Sequence, residues 1–146
     1  MRRLLVAATA VALLQAASFA QAPAAQIEGK EVFKNDDVVF HQIDHRTWVG
    51  SGHMMASESL YLVEGNDKAV LIDAGTKIAG LDKIVSSITK KPVMLVVTHA
   101  HPDHTGSAIN DFPELSIGAG DAASRFLAAY KGKIKELNDG DAIDLG

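Results

Sequence analysis

The chain has 146 residues, 47% of them hydrophobic and 22% charged, with a formal net charge of −4. That composition fits one globular domain or less and excludes a fibrous or disordered chain. It has no cysteine, which rules out disulfides, thiolate metal sites and a cysteine nucleophile, so any metal must be held by nitrogen and oxygen.

Residues 1–20 read as a leader. Arg2 and Arg3 form a basic start, Leu4 to Leu14 runs without a charge, and small residues continue to Ala22, which is the layout of a secretory signal peptide. Ser18-Phe19-Ala20 puts small residues where a signal peptidase reads, so cleavage is expected after Ala20; cleavage after Ala22 would leave Pro23 beside the scissile bond. An uncleaved membrane anchor is the alternative, but the run falls short of the roughly 20 apolar residues a spanning helix needs. The absence of cysteine also argues against a lipid anchor. A periplasmic or secreted protein with no stable membrane anchor is the expectation. Loss of Arg2 and Arg3 leaves 12 basic against 18 acidic residues, a net charge of −6. So acidic a chain lacks the lysine and arginine that phosphate contacts require, and a nucleic-acid partner is not expected.

Residues 21–37 read as a loose lead-in to a domain spanning 38–146. Val38–Ile43 and Arg46–Gly50 look like short strands around an Asp44-His45 turn, with Trp48 in the core and His41 and His45 facing solvent. Gly50–Ser57 reads as a flexible loop carrying His53, Met54 and Met55. Ser59–Glu64 and Lys68–Asp73 form a hairpin around Gly65-Asn66-Asp67, residues that tolerate positive φ. Then the period changes. Ile78, Leu81, Ile84, Val85 and Ile88 fall at helical spacing, which predicts a helix over 79–89, and Val93–Val97 reads as a strand buried on both faces. A short helix over 106–111, a strand at Leu115–Gly118, a helix from Asp121 to Tyr130 and the start of a strand at Ala142–Leu145 complete the order. Lys131, Lys133 and Lys135 read as a solvated face. Hairpins followed by alternating helix and strand predict a mixed sheet with helices on one face, an α+β or layered α/β fold.

Between the strand at 93–97 and the short helix lies Thr98-His99-Ala100-His101-Pro102-Asp103-His104, with three histidines and an aspartate in six positions. Neutral imidazole and carboxylate are ordinary ligands for zinc and also suit iron and manganese. In extended backbone His99 and His101 project to the same side and can meet on one ion. Asp103 and His104, one turn further on, could serve a second, and Pro102 stiffens the loop between the pairs. A metal there would activate a water near neutral pH without a protein nucleophile.

His99-x-His101-x-Asp103-His104 after a hydrophobic strand, with Leu71-Ile72-Asp73-Ala74-Gly75 upstream, resembles the metallo-β-lactamase superfamily. Tyr61–Gly75 matches that family's opening hairpin, and Thr105-Gly106 continues the motif. The resemblance runs from Val38 to the C-terminus and implies a four-layer αββα sandwich. It implies His99 and His101 on a first metal, Asp103 and His104 on a second, and Asp103 as the catalytic residue holding the attacking water. Asp73 is implied to hydrogen-bond beside the site rather than ligate, and the loop of His53, Met54 and Met55 to sit where relatives carry a substrate flap. The family draws further ligands from later segments, whereas no histidine follows His104, so the first half of such a domain is expected.

The leading expectation is an exported zinc-dependent hydrolase, with one or two ions, acting on a small-molecule carbonyl substrate of the β-lactam, lactone or thioester class. An iron-dependent oxidoreductase of the same superfamily is the redox alternative, and a non-catalytic metal-binding fragment the third.

Overall fold

The computed structural model describes residues 28–51 and 57–146. The expected leader and the expected flap residues His53, Met54 and Met55 lie outside the described residues. Eight strands form one sheet in chain order: β1 (Lys30–Lys34), β2 (Val39–Asp44), β3 (Thr47–Ser51), β4 (Leu60–Glu64), β5 (Ala69–Ile72), β6 (Val93–Val97), β7 (Glu114–Gly118) and β8 (Lys133–Leu137). Strands β1 to β5 pair antiparallel and β5 to β8 parallel. Helix α1 (Leu81–Ile88) makes the crossover from β5 to β6, as parallel neighbours require.

The register lines up one apolar row across the sheet. Trp48 faces Leu62, Leu62 faces Leu71, Leu71 aligns with Leu95 and Leu95 with Leu115. All five are buried, as expected for Trp48. Helix α1 brings Leu81, Ile84 and Val85 into the same cluster. Each such side chain contributes roughly 1.5–3 kcal/mol on burial. The α+β reading therefore holds, with a mixed sheet and a helix on its apolar face.

The helix begins two residues later than the periodicity suggests. Gly80 adopts φ 65, a left-handed turn that sets the first helical residue at Leu81. Two carboxylates from elsewhere take the amides at this end: Asp37 Oδ2 accepts from Ala79 N and Asp111 Oδ2 from Leu81 N, each at 3.0 Å. Thr89 closes the other end, its amide bonded to Val85 O.

Several expectations need correction. Residues 30–34, placed in the lead-in, pair with β2 and pack Phe33 against the core. Strand β6 is buried on one face only: Leu95 and Val97 are covered, while Met94 and Val96 are half-exposed on the face away from α1. The segment from Asp121 gives turns and a three-residue 3-10 helix, Arg125–Leu127, because Leu127 alone of that short helix reaches the core. Residues 133–137, inside the lysine-rich run, form edge strand β8. Residues 142–145 form no strand; instead Leu145 O accepts from Asp67 N (2.9 Å) and Lys68 N (3.2 Å) at the β4–β5 turn. His41 is half-buried rather than solvent-facing, and its Nδ1 is buried without a hydrogen-bond partner among the described residues.

Candidate metal centre

Two chain segments build the centre, and both leave the carboxyl ends of parallel neighbours β5 and β6. After β5, Asp73 takes φ 67 and Gly75 φ 65, and these left-handed residues turn the chain sharply. Residues 74–76 then run beside 104–107: Ala74 N donates to His104 O (3.0 Å), Gly106 N to Gly75 O (2.9 Å) and Ser107 N to Thr76 O (3.3 Å). A Cβ on residue 106 would sit 2.0 Å from Thr76 O and 2.2 Å from Gly75 O, so only glycine allows this approach. Within the motif, His104 N (2.9 Å) and Thr105 N (2.8 Å) both donate to His101 O, closing the tight turn that holds Pro102 and Asp103.

Glu58, just before β4, supports the turn from the other side. Its carboxylate accepts from Thr76 N at 2.9 Å and Thr76 Oγ1 at 2.6 Å, and the residue is only 8% exposed. The sequence offered no clear sign of this role, since Glu58 sits between two serines at a strand start.

Asp73 hydrogen-bonds with two residues of the histidine-bearing stretch, Thr98 and His104. Its Oδ1 accepts from Thr98 N at 2.8 Å, and Thr98 Oγ1 lies 3.0 Å and 2.9 Å from its two oxygens. Its Oδ2 meets His104 Nδ1 at 2.8 Å. An ionised carboxylate only accepts, so His104 donates from Nδ1 to Asp73, and Nε2 is the ring nitrogen turned toward Asp103. This is how proteins set the tautomer of a ligating histidine.

The four candidate ligands are brought together as two pairs. His99 Nε2 lies 3.1 Å from His101 Nδ1, and His104 Nε2 lies 3.4 Å from Asp103 Oδ2. Two donors sharing a tetrahedral zinc at its usual bond lengths stand about 3.3–3.4 Å apart. The pairs adjoin, with the His99 and His104 ring centroids 4.1 Å apart. The nitrogen and oxygen donors therefore fit a divalent ion. Among the described residues, no set of three His, Cys, Asp or Glu side chains is arranged to hold one. Each pair has two donors.

Two residues that the sequence did not single out lie against the loop. Phe126 meets the His101 ring edge-on, centroids 6.0 Å apart, and the Arg125 guanidinium lies 5.0 Å above the Phe126 ring. A concavity lies elsewhere, between the starts of β6 and β7 near Val93, Phe112 and Glu114. It is at the opposite end of those strands from the histidines and takes no part in the centre.

The sequence profile of the metallo-beta-lactamase superfamily matches residues 56–110, the stretch holding β4, β5, α1, β6 and the motif. No curated protein matches in sequence. Among solved structures, the crystal structure of DIM-1 metallo-beta-lactamase exposed to ceftazidime is similar with a TM-score of 0.57 at 12% identity, over 73% of this chain and 54% of that one. The chain thus spans about half the length of that structure. The profile match over the motif and the shared fold make this chain similar to the metallo-β-lactamase superfamily over residues 56–110.

Proposed function

We propose that the chain carries a hydrolytic metal centre, exported by its leader, that acts on a small carbonyl substrate of the β-lactam, lactone or thioester class. One observation supports this most: two adjoining donor pairs, one at the 3.4 Å of a tetrahedral edge and one slightly closer at 3.1 Å, with His104 Nδ1 held by Asp73. His99 and His101 would hold a first ion, Asp103 and His104 a second, with zinc as the metal and iron or manganese suited to the same donors. A bound divalent ion supplies Lewis acidity and a water whose pKa is lowered to about 7. The protein's part is orientation and proton handling. Asp103, with its side chain 36% exposed beside His104, would hold the attacking water. Asp73 keeps the His104 ring fixed throughout.

A second reading, metal binding without turnover, is favoured by the pairs themselves. A catalytic zinc keeps three protein ligands, and each pair has two. One experiment separates the readings. Zinc affinity of the full chain is measured by chelator competition, alongside hydrolysis of chromogenic β-lactam, lactone and thioester probes, in wild type and His101→Ala. Zinc binding and turnover that both disappear in the variant support the enzyme. Zinc binding without turnover supports the second reading. Equal zinc affinity in both proteins would refute the ligand assignment, and metal analysis of the purified protein decides between zinc and iron.

A further inference from the structure

The segment after β7 places the half-exposed Phe126 ring, with the Arg125 guanidinium over it, beside His101. Strands β6 and β7 run parallel with Val97 beside Ile117, so residues 98–104 and the segment after Gly118 leave the same sheet end. That is the end where sheet proteins gather ligands. The segment is well anchored. Leu127 is 4% exposed in the core, the Ser124 side chain caps Phe126 N, and the Tyr130 hydroxyl donates to Phe112 O at 3.0 Å.

Anchored in this way, Phe126 stays 38% exposed with its ring against His101, at an interplanar angle of 86°. Arg125 covers the Phe126 ring. Among the described residues Arg125 has no carboxylate partner, although the chain has 18 acidic residues. Arg125 is exposed with its guanidinium over the Phe126 ring, and a guanidinium is a planar fork of donors that takes a carboxylate with two parallel hydrogen bonds.

The geometry points to a substrate-anion subsite in which Arg125 binds the carboxylate of a small molecule whose apolar body lies on Phe126, beside His101. The inference rests on the hydrolase reading for its meaning, since the subsite would select substrates bearing an anionic group next to an apolar one. Arg125 and Phe126 are then specificity determinants, not ligands.

The test uses the 15N-labelled full chain, once metal-free and once with zinc added, titrated with phenylacetate and with its uncharged isostere phenylacetamide. In the metal-free chain phenylacetate should shift the amides of Ser124 to Leu127, and Arg125→Gln should weaken it by at least about tenfold. Phenylacetamide should bind wild type about as weakly as phenylacetate binds the variant. Arg125→Lys should recover only part of the affinity, because lysine cannot make the paired contact. Arg125 is exposed, so the variants should keep the wild-type spectrum elsewhere. Equal affinity for the two probes, or unchanged affinity in Arg125→Gln, would overturn the subsite. So would phenylacetate binding that needs zinc and ignores Arg125; that outcome puts the carboxylate on the metal and leaves the hydrolase reading intact. Arg125-dependent binding in a chain that takes up no zinc would uphold the subsite and remove the hydrolase reading instead.

Discussion

Replacing Asp73 by asparagine separates the chemistry of the metal pair from the stability of the fold. Asparagine tolerates the φ of 67 that residue 73 adopts, so the backbone stays unstrained. Its Oδ1 can still accept from Thr98 N, now at 2.8 Å. The amide nitrogen, however, replaces the oxygen that meets His104 Nδ1 at 2.8 Å, and a donor then faces a donor. His104 relieves the clash by moving its proton to Nε2, which removes the lone pair offered beside Asp103. Losing such an outer hydrogen-bond partner typically costs 10–100-fold in metal affinity, about 1.4–2.7 kcal/mol. Folding stability should fall by about 1.5–3 kcal/mol, the worth of one hydrogen bond to a charged group. Asp73→Ala should lose more stability, because a left-handed alanine adds about 1–2 kcal/mol of backbone strain. Chelator competition reads the zinc affinity, long-range 1H–15N correlation reads the His104 tautomer, and urea unfolding reads the stability. Unchanged zinc affinity in Asp73→Asn with the proton moved to Nε2 would refute the role given to His104.

Three further outcomes are expected. Glu58→Ala should cost about 2–3 kcal/mol in urea unfolding, since it strands the Thr76 amide and hydroxyl that now bond at 2.9 Å and 2.6 Å. Glu58→Gln keeps an acceptor and should cost about 1 kcal/mol, and equal losses in the two variants would refute the acceptor role. Gly106→Ala leaves an ordinary φ of −64, so its expected loss of about 1–3 kcal/mol is purely steric, from the carbonyls of Gly75 and Thr76; a loss below about 0.5 kcal/mol would show that the two segments can part freely. Burial, and then the negative charge of Glu114, raise Tyr130 above its ordinary 10.0. The unfolded chain releases that proton first, so Tyr130's contribution to stability is full below pH 10.0 and declines as pH climbs through the folded value. Tyr130→Phe should flatten that decline in denaturation midpoints followed against pH.

The centre of the sheet could be read from the sequence because its signals are local and agree. Leu60, Leu62, Ala69 and Leu71 alternate across Gly65-Asn66-Asp67, and α1 shows its stripe at Leu81, Ile84 and Val85. The candidate ligands stood out by chemical type, since imidazoles after an apolar strand have little to offer packing. The two edges could not be read in this way. Strands β1 and β8 have the sequences KEVFK and KIKEL, and lysines that keep an edge from pairing with another molecule also hide it from hydrophobic pattern. The helix expected from Asp121 fails because a segment that short is marginal without a buried stripe, and of its 3-10 turn only Leu127 is buried. Strand β6 looked like a doubly buried strand because its run is continuously apolar. Met94 and Val96 show that apolarity records what a face is suited to meet, while coverage depends on what lies over it. Glu58, Arg125 and Phe126 escaped notice because their meaning lies in a partner distant in the chain.

Strand order that repeats chain order has a consequence for how the protein is made. Every strand pairs with its immediate predecessor, so the sheet can lengthen one strand at a time as the polypeptide emerges, with no early strand waiting for a late one. Topologies dominated by such near-neighbour pairings fold quickly for their size, because little loop-closure entropy is spent before each contact forms. The metal centre shares that economy. Its carboxylate–imidazole contact spans only 31 positions, from Asp73 to His104, and the Glu58 support spans 18. The donor pairs can therefore be set in place once β6 has docked, before β7 and β8 are added at the far edge.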